Sequence, residues 1–147
     1  MIEIGSAAPD FTLPGGAGVV SLGALRGQKV VLYFYPKDDT SGCTQEAKEF
    51  DALRAEFEAS GTAVVGLSPD GPKSKAKFAA KHGLGLTLAA DEAKTTLQAY
   101  GVWAEKSMYG RKYMGTVRTT FLIDENGLIT DIIGKVDTQK HAEQILK

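Results

Sequence analysis

An α/β protein, with a central mixed β-sheet flanked by helices, is what three features of this sequence predict. Runs of β-branched and aromatic residues alternate with amphipathic helical stretches. One run, Val30-Val31-Leu32-Tyr33-Phe34-Tyr35, is apolar at every position, as a central strand buried on both faces is. The last two strand-like runs are joined at Glu125-Asn126-Gly127, and Asn-Gly between apolar runs is a strong hairpin signal.

The elements follow in order. Gly15, Gly16 and Gly18 punctuate a loop before residues 19–22, a small strand. Residues 29–35 form the central strand and stop at Pro36. Thr40 or Ser41 then caps a helix that runs to about Ser60-Gly61. Within it Cys43, Ala47, Phe50, Leu53 or Arg54, and Phe57 recur at helical spacing and give one inward stripe. Residues 63–67 are a second strand. Residues 69–82 read as a helix with Lys73, Lys75, Lys77 and Lys81 outward and Phe78 inward. Asp91 caps a short helix through Tyr100, closed by Gly101. Residues 117–124 and 128–133 are the hairpin strands, and a closing helix begins near Asp137 or Thr138. From residue 29 the order is β-α-β-α-α-β-β-α. No linker, repeat or low-complexity stretch interrupts it, so residues 1–147 read as a single domain.

Composition narrows the function classes. A chain of this length buries roughly two-thirds of its unfolded surface. A net charge of −1 gives no electrostatic footprint for nucleic acid or for an anionic membrane. One cysteine excludes an internal disulfide and a cysteine-rich zinc site. The start of the sequence, Met1-Ile2-Glu3-Ile4-Gly5, has neither a basic region nor an apolar one, and no segment reaches membrane-spanning length. The expected address is the cytoplasm, where a thiol stays reduced.

That single thiol, Cys43, lies where the central strand gives way to a helix. The first turn of a helix leaves backbone N–H groups without intrahelical partners, and the macrodipole puts partial positive charge there. Both favour a thiolate. Thr40, three residues earlier, brings a hydroxyl that a tight turn would face toward the sulfur, and Gly42 allows close backbone approach. Asp38 and Asp39 oppose the thiolate unless they point to solvent or a cation sits nearer. A lone cysteine on an inward helical stripe is equally well read as a small buried hydrophobe, and position alone does not separate the two.

Other cysteine chemistries fail on neighbouring residues. A phosphate-embracing loop needs an arginine about six residues after the thiol, where Glu49 stands. A histidine-assisted nucleophile has only His82 and His141 to draw on, both reading as surface residues. A Cys-x-x-Cys pair is absent, since Glu46 holds the second position. What remains is a thiolate stabilised by a guanidinium. Arg118, opening an apolar strand, needs a charge partner, and Glu46, one turn beyond Cys43, could orient it through a bidentate pair. Arg26, Arg54 and Arg111 lie in loop or outward-helix contexts.

Pro36-x-x-x-Thr40-x-x-Cys43 resembles the active-site signature of the peroxiredoxins. The longer string Tyr33-Phe34-Tyr35-Pro36-Lys37-Asp38-Asp39-Thr40-Ser41-Gly42-Cys43-Thr44-Gln45-Glu46-Ala47 is similar to the bacterioferritin-comigratory-protein (PrxQ) branch of that family. Gly5-Ser6-Ala7-Ala8-Pro9-Asp10-Phe11-Thr12-Leu13, Gly101-Val102-Trp103-Ala104-Glu105-Lys106 and Arg118-Thr119-Thr120-Phe121-Leu122-Ile123-Asp124-Glu125-Asn126-Gly127 extend the resemblance over nearly the whole chain.

The resemblance implies a thioredoxin-like fold and a peroxidase acting on hydrogen peroxide and organic hydroperoxides, with no metal or prosthetic group. It implies Cys43 as the thiol that becomes a sulfenic acid, Thr40 as the hydroxyl that holds peroxide, and Arg118 as the stabilising cation. Pro36 would shield the pocket from water and Glu46 would position Arg118. It also implies a monomer. One departure stands out. The position five residues after Cys43, where many members of the branch carry a resolving cysteine, is Lys48. A 1-Cys type is therefore expected, recycled by an external thiol such as a thioredoxin, a glutaredoxin or glutathione. The competing class is a redox-sensing or interaction domain with little turnover. Thr40, Glu46 and Arg118 together favour the enzyme.

Overall fold

The computed structural model describes residues 2–134 together with 143 and 145. In chain order these residues form β1 (Thr12–Gly15), β2 (Gly18–Ser21), a 3₁₀ turn (Gly23–Leu25), β3 (Lys29–Phe34), α1 (Ser41–Ala52), α2 (Arg54–Ala59), β4 (Thr62–Ser68), α3 (Pro72–His82) and β5 (Thr87–Ala90). Then come α4 (Thr95–Ala99), β6 (Trp103–Met108), β7 (Arg111–Thr116), β8 (Thr119–Ile123) and β9 (Ile129–Ile133). The expected closing helix begins outside the described residues, as does His141.

One sheet runs β2-β1-β5-β4-β3-β8-β9. Its β3/β4 and β4/β5 pairs are parallel, while β3/β8, β8/β9, β1/β2 and β1/β5 are antiparallel. The sheet is therefore mixed, as expected. Strands β6 and β7 form a separate two-stranded ribbon.

Strand β3 sits inside the sheet, between β4 and β8, because both of its faces are apolar. Successive side chains of a strand point to opposite faces. Val30, Leu32 and Phe34 enter a core with Phe11, Leu67, Leu97, Tyr100 and Phe121. Val31, Tyr33 and Tyr35 enter the other core, with Cys43, Ala47, Phe50, Phe57 and Phe78. Each such large side chain contributes about 1.5–3 kcal/mol by leaving water. Tyr33 lies opposite Gly66 on β4, and a Cβ at 66 would stand 2.6 Å from the tyrosine ring. Only glycine leaves room there.

The expected helix to residue 60 breaks at Leu53, whose φ/ψ of −99°/10° ends α1 and starts α2. The break still brings Phe57 to 5.8 Å from Phe50, ring to ring, and it is Leu53 rather than Arg54 that packs inward. Helix α3 starts at Pro72 instead of 69 and ends at Gly83, which takes a left-handed φ of 63°. Lys73, Lys77 and Lys81 are exposed as expected. Lys75 is not: it is wholly buried, because it shares the inward face with Phe78 and His82 at helical spacing. Asp91 does not cap α4 at its first residue, since Lys94 precedes the helix; its carboxylate instead accepts the Leu97 N–H at 2.8 Å. Among the described residues no helix is long and apolar enough to cross a membrane.

Candidate active site

The register of β3 against β8 builds the site. Phe34 pairs with Thr119, so the residue before Thr119, Arg118, lies beside the end of β3, where the chain turns into α1. That turn is tight: Asp39 adopts a left-handed φ of 63°, and Thr40 then takes an extended conformation as the residue that caps α1. The Thr44 N–H closes the first helical bond onto the Thr40 carbonyl at 2.8 Å. Cys43 is thus the third residue of α1, inside the turn whose N–H groups lack intrahelical partners.

Arg118 divides its fork. One nitrogen, Nη2, donates to Cys43 Sγ at 3.0 Å, while the other, Nη1, donates to Glu46 Oε1 at 2.6 Å. The expected bidentate pair with Glu46 is therefore replaced by a bridge, since the second nitrogen is already committed to sulfur. Cys43 and Glu46 meet one guanidinium because they lie three apart on the same helical face. A charged donor favours the anionic sulfur.

Glu46 is completely buried, and its Oε2 has no hydrogen-bond partner among the described residues. Burial raises its pKa to about 7 against the pull of Arg118. Burial pulls the Arg118 pKa down, but Glu46 and Cys43 outweigh it and the net displacement is upward, so the guanidinium stays charged. Lys106, on β6, also belongs to this neighbourhood: burial first, and then the charge of Arg118, lower its pKa, while Cys43 opposes them.

The other expected residues divide. Pro36 is half-buried, two residues beyond the end of β3. Thr40 occupies the N-cap of α1 without a side-chain capping bond; its hydroxyl donates to the Lys37 carbonyl at 2.9 Å, three residues back in the loop. Neither aspartate leaves a bare charge beside the thiol. Asp38 is buried and paired with Lys75 at 2.9 Å. Asp39 turns outward to Lys81 at 2.6 Å and His82 at 2.7 Å. His82 is half-buried, edge-on to Phe78, and Lys48 is exposed. Among the described residues Arg54, itself exposed, pairs with Asp51 and Glu58, and Arg111 lies in the exposed ribbon.

Sequence reasoning missed Lys75 and Lys106. The first had a readable signal in the inward spacing 75, 78, 82, hidden by the surrounding lysines. The second lies on a polar strand with no apolar periodicity.

A mixed sheet with a cysteine in the first turn of the helix that follows one of its inner strands, held by an arginine at the start of the neighbouring strand, defines a thioredoxin-fold thiol centre. Comparison with known proteins makes this particular. The AhpC/TSA family matches residues 4–132. A bcp-type peroxiredoxin of Coxiella burnetii is 44% identical, over 99% of this chain and 97% of that protein. Peroxiredoxin Bcp of Bacillus subtilis is 40% identical, over 99% and 94%. The solved structure of the Xanthomonas campestris bacterioferritin comigratory protein, described for its alkyl peroxide reduction activity, superposes with a TM-score of 0.90 at 37% identity, covering 99% of this chain and 94% of that one. The chain belongs to the AhpC/TSA family, in its Bcp/PrxQ branch, and is a thiol-dependent peroxidase. Its single cysteine fits the 1-Cys expectation.

Proposed function

We propose that Cys43 is the peroxide-reducing thiol, acting on hydrogen peroxide and on alkyl hydroperoxides. The observation that carries this reading is the 3.0 Å hydrogen bond from Arg118 to Cys43 Sγ at the opening of α1. The thiolate attacks one peroxide oxygen, the S–O bond forms as the O–O bond breaks, and water or an alcohol leaves after taking up a proton. Cys43 is left as a sulfenic acid. Negative charge develops on the departing oxygen, and a preorganised guanidinium stabilises it without reorganising. Glu46 holds that guanidinium in place. Thr40 holds the peroxide once its hydroxyl turns from Lys37, and Pro36 shields the site from water.

An external thiol completes the cycle, since the chain has no second cysteine. Thioredoxin, glutaredoxin and glutathione are the reductants proposed. The protein works as a single-domain monomer in the cytoplasm.

One equivalent of hydrogen peroxide, and separately of cumene hydroperoxide, added to the reduced protein tests the reading. Intact mass is expected to rise by one oxygen as peroxide disappears, and Cys43→Ser is expected to abolish both changes. A mass gain that persists in Cys43→Ser would overturn it.

A further inference from the structure

The sulfur of oxidised Cys43 must be reached by a thiol from outside, yet the residue, in the first turn of α1, is 2% exposed. Reduction therefore needs the segment from Tyr35 to Cys43 to open. One residue of that segment is anchored from three directions. The Asp38 carboxylate accepts the Tyr35 hydroxyl at 2.6 Å, the Ser74 hydroxyl at 2.6 Å and the Lys75 ammonium at 2.9 Å. Its backbone N–H donates to Asp70 at 2.7 Å. Lys75, wholly buried, also donates to Tyr35 at 3.0 Å and to Ser68 at the end of β4, and lies over the Tyr35 ring. An ammonium is strongly hydrated, and a site that removes it from water holds it only with good partners. Here those partners converge on the loop that leads into Thr40 and Cys43.

We propose that Lys75, through its ion pair with Asp38, is a positioning residue that latches the active-site loop closed, speeding the peroxide step and restraining reduction by an external thiol. The inference rests on the peroxidase reading and adds to it a control over the balance of the two half-reactions. In the restrained step a thiol RSH attacks the sulfenic acid: its sulfur bonds to Cys43 Sγ, the S–O bond breaks, and the hydroxide leaves as water with the thiol's proton. A second RSH then releases Cys43 as the thiol, with RSSR as the oxidised product. The latch acts because it grips the loop rather than the helix. Asp38 is five residues from Cys43, and the left-handed turn at Asp39 follows it directly. Released from Lys75, this stretch loses the anchor that keeps Thr40 and Cys43 in register, and local opening becomes easier.

Lys75→Met and Asp38→Asn test the latch through separate half-reactions. Reduced protein is mixed with hydrogen peroxide; sulfenic protein is mixed with dithiothreitol; and reduced Cys43 is alkylated with iodoacetamide as a direct reading of opening. The expected result is a peroxide rate constant lower by about tenfold, since displaced catalytic groups lose rate steeply. Reduction and alkylation are expected to run about tenfold faster, since the opened state is more populated. A general loosening of the fold would not move the half-reactions in opposite directions. Parallel changes, or none, overturn the proposal. Should Lys75→Met fail to fold by circular dichroism, Asp38→Asn decides on the same three rates. If wild-type protein meets peroxide no faster than a free thiol does, the peroxidase reading fails, and the alkylation rates still judge the latch.

Discussion

Asp38 and Asp39 are adjacent in sequence, and each pairs with a lysine of α3, Lys75 and Lys81 respectively, yet they live in different media. Asp38 is buried, with both carboxylate oxygens satisfied and its lysine removed from water. Asp39 is exposed, its pKa lowered first by the hydrogen bond to His82 and then by Lys81. The backbone reversal at Asp39 sends one carboxylate inward and its neighbour outward. Two ion pairs that look interchangeable in sequence therefore do different work. The outer one is screened by solvent and salt. The inner one fixes the loop that carries the thiol.

Substitution of the two lysines is expected to separate the buried pair from the exposed one most clearly. Lys75→Met, which strands the Asp38 charge, is expected to cost about 3–5 kcal/mol of stability in urea unfolding. Lys81→Met is expected to leave the transition midpoint unchanged. Equal losses would mean that burial does not distinguish the pairs.

Glu46 sharpens the contrast, because it is as buried as Asp38 but keeps an oxygen without a partner. Its pKa, raised from 4.5 to about 7, means that the folded state holds the proton more tightly than the unfolded state. The stabilisation this gives is complete below pH 4.5 and is lost as pH rises through about 7. Relative to Glu46→Gln, wild-type protein should lose roughly 2–4 kcal/mol across that window, since each pKa unit is worth about 1.4 kcal/mol. Thermal midpoints of both proteins from pH 4.5 to 8 check it, and a constant difference would contradict it.

Much of this architecture is legible in the sequence because local chemistry and tertiary context agree. The all-apolar run ending at Pro36 has no stable place except mid-sheet. Asn126-Gly127 makes its turn, with Gly127 at a φ of 82°. Arg118, directly before the core strand β8, required a counter-charge and found Glu46. Strands β1 and β5 are harder to read. Each is four residues long; β1 contains Pro14 and forms only a short hairpin with β2, while β5 is defined by its pairing with β4 rather than by pattern. The β6/β7 ribbon is mostly polar or exposed, and its only local signal is Tyr109-Gly110, where two successive positive φ values, 52° and 78°, make the hairpin turn. Lys75 escaped because a charge in a lysine-rich helix suggests solvent, and only the position of Asp38, set by the fold, shows otherwise.

In the proposed reaction Arg118 makes Cys43 a peroxide-reactive thiol. The second-order rate constant for oxidation of reduced Cys43 by hydrogen peroxide, followed by rapid mixing in wild-type protein and in Arg118→Ala, tests it most directly. The wild-type constant is expected to exceed that of free cysteine by orders of magnitude and to fall about 10²–10³-fold in the variant, the loss typical of removing one preorganised donor. Equal constants for the two proteins, or a wild-type constant no greater than that of free cysteine, would contradict it.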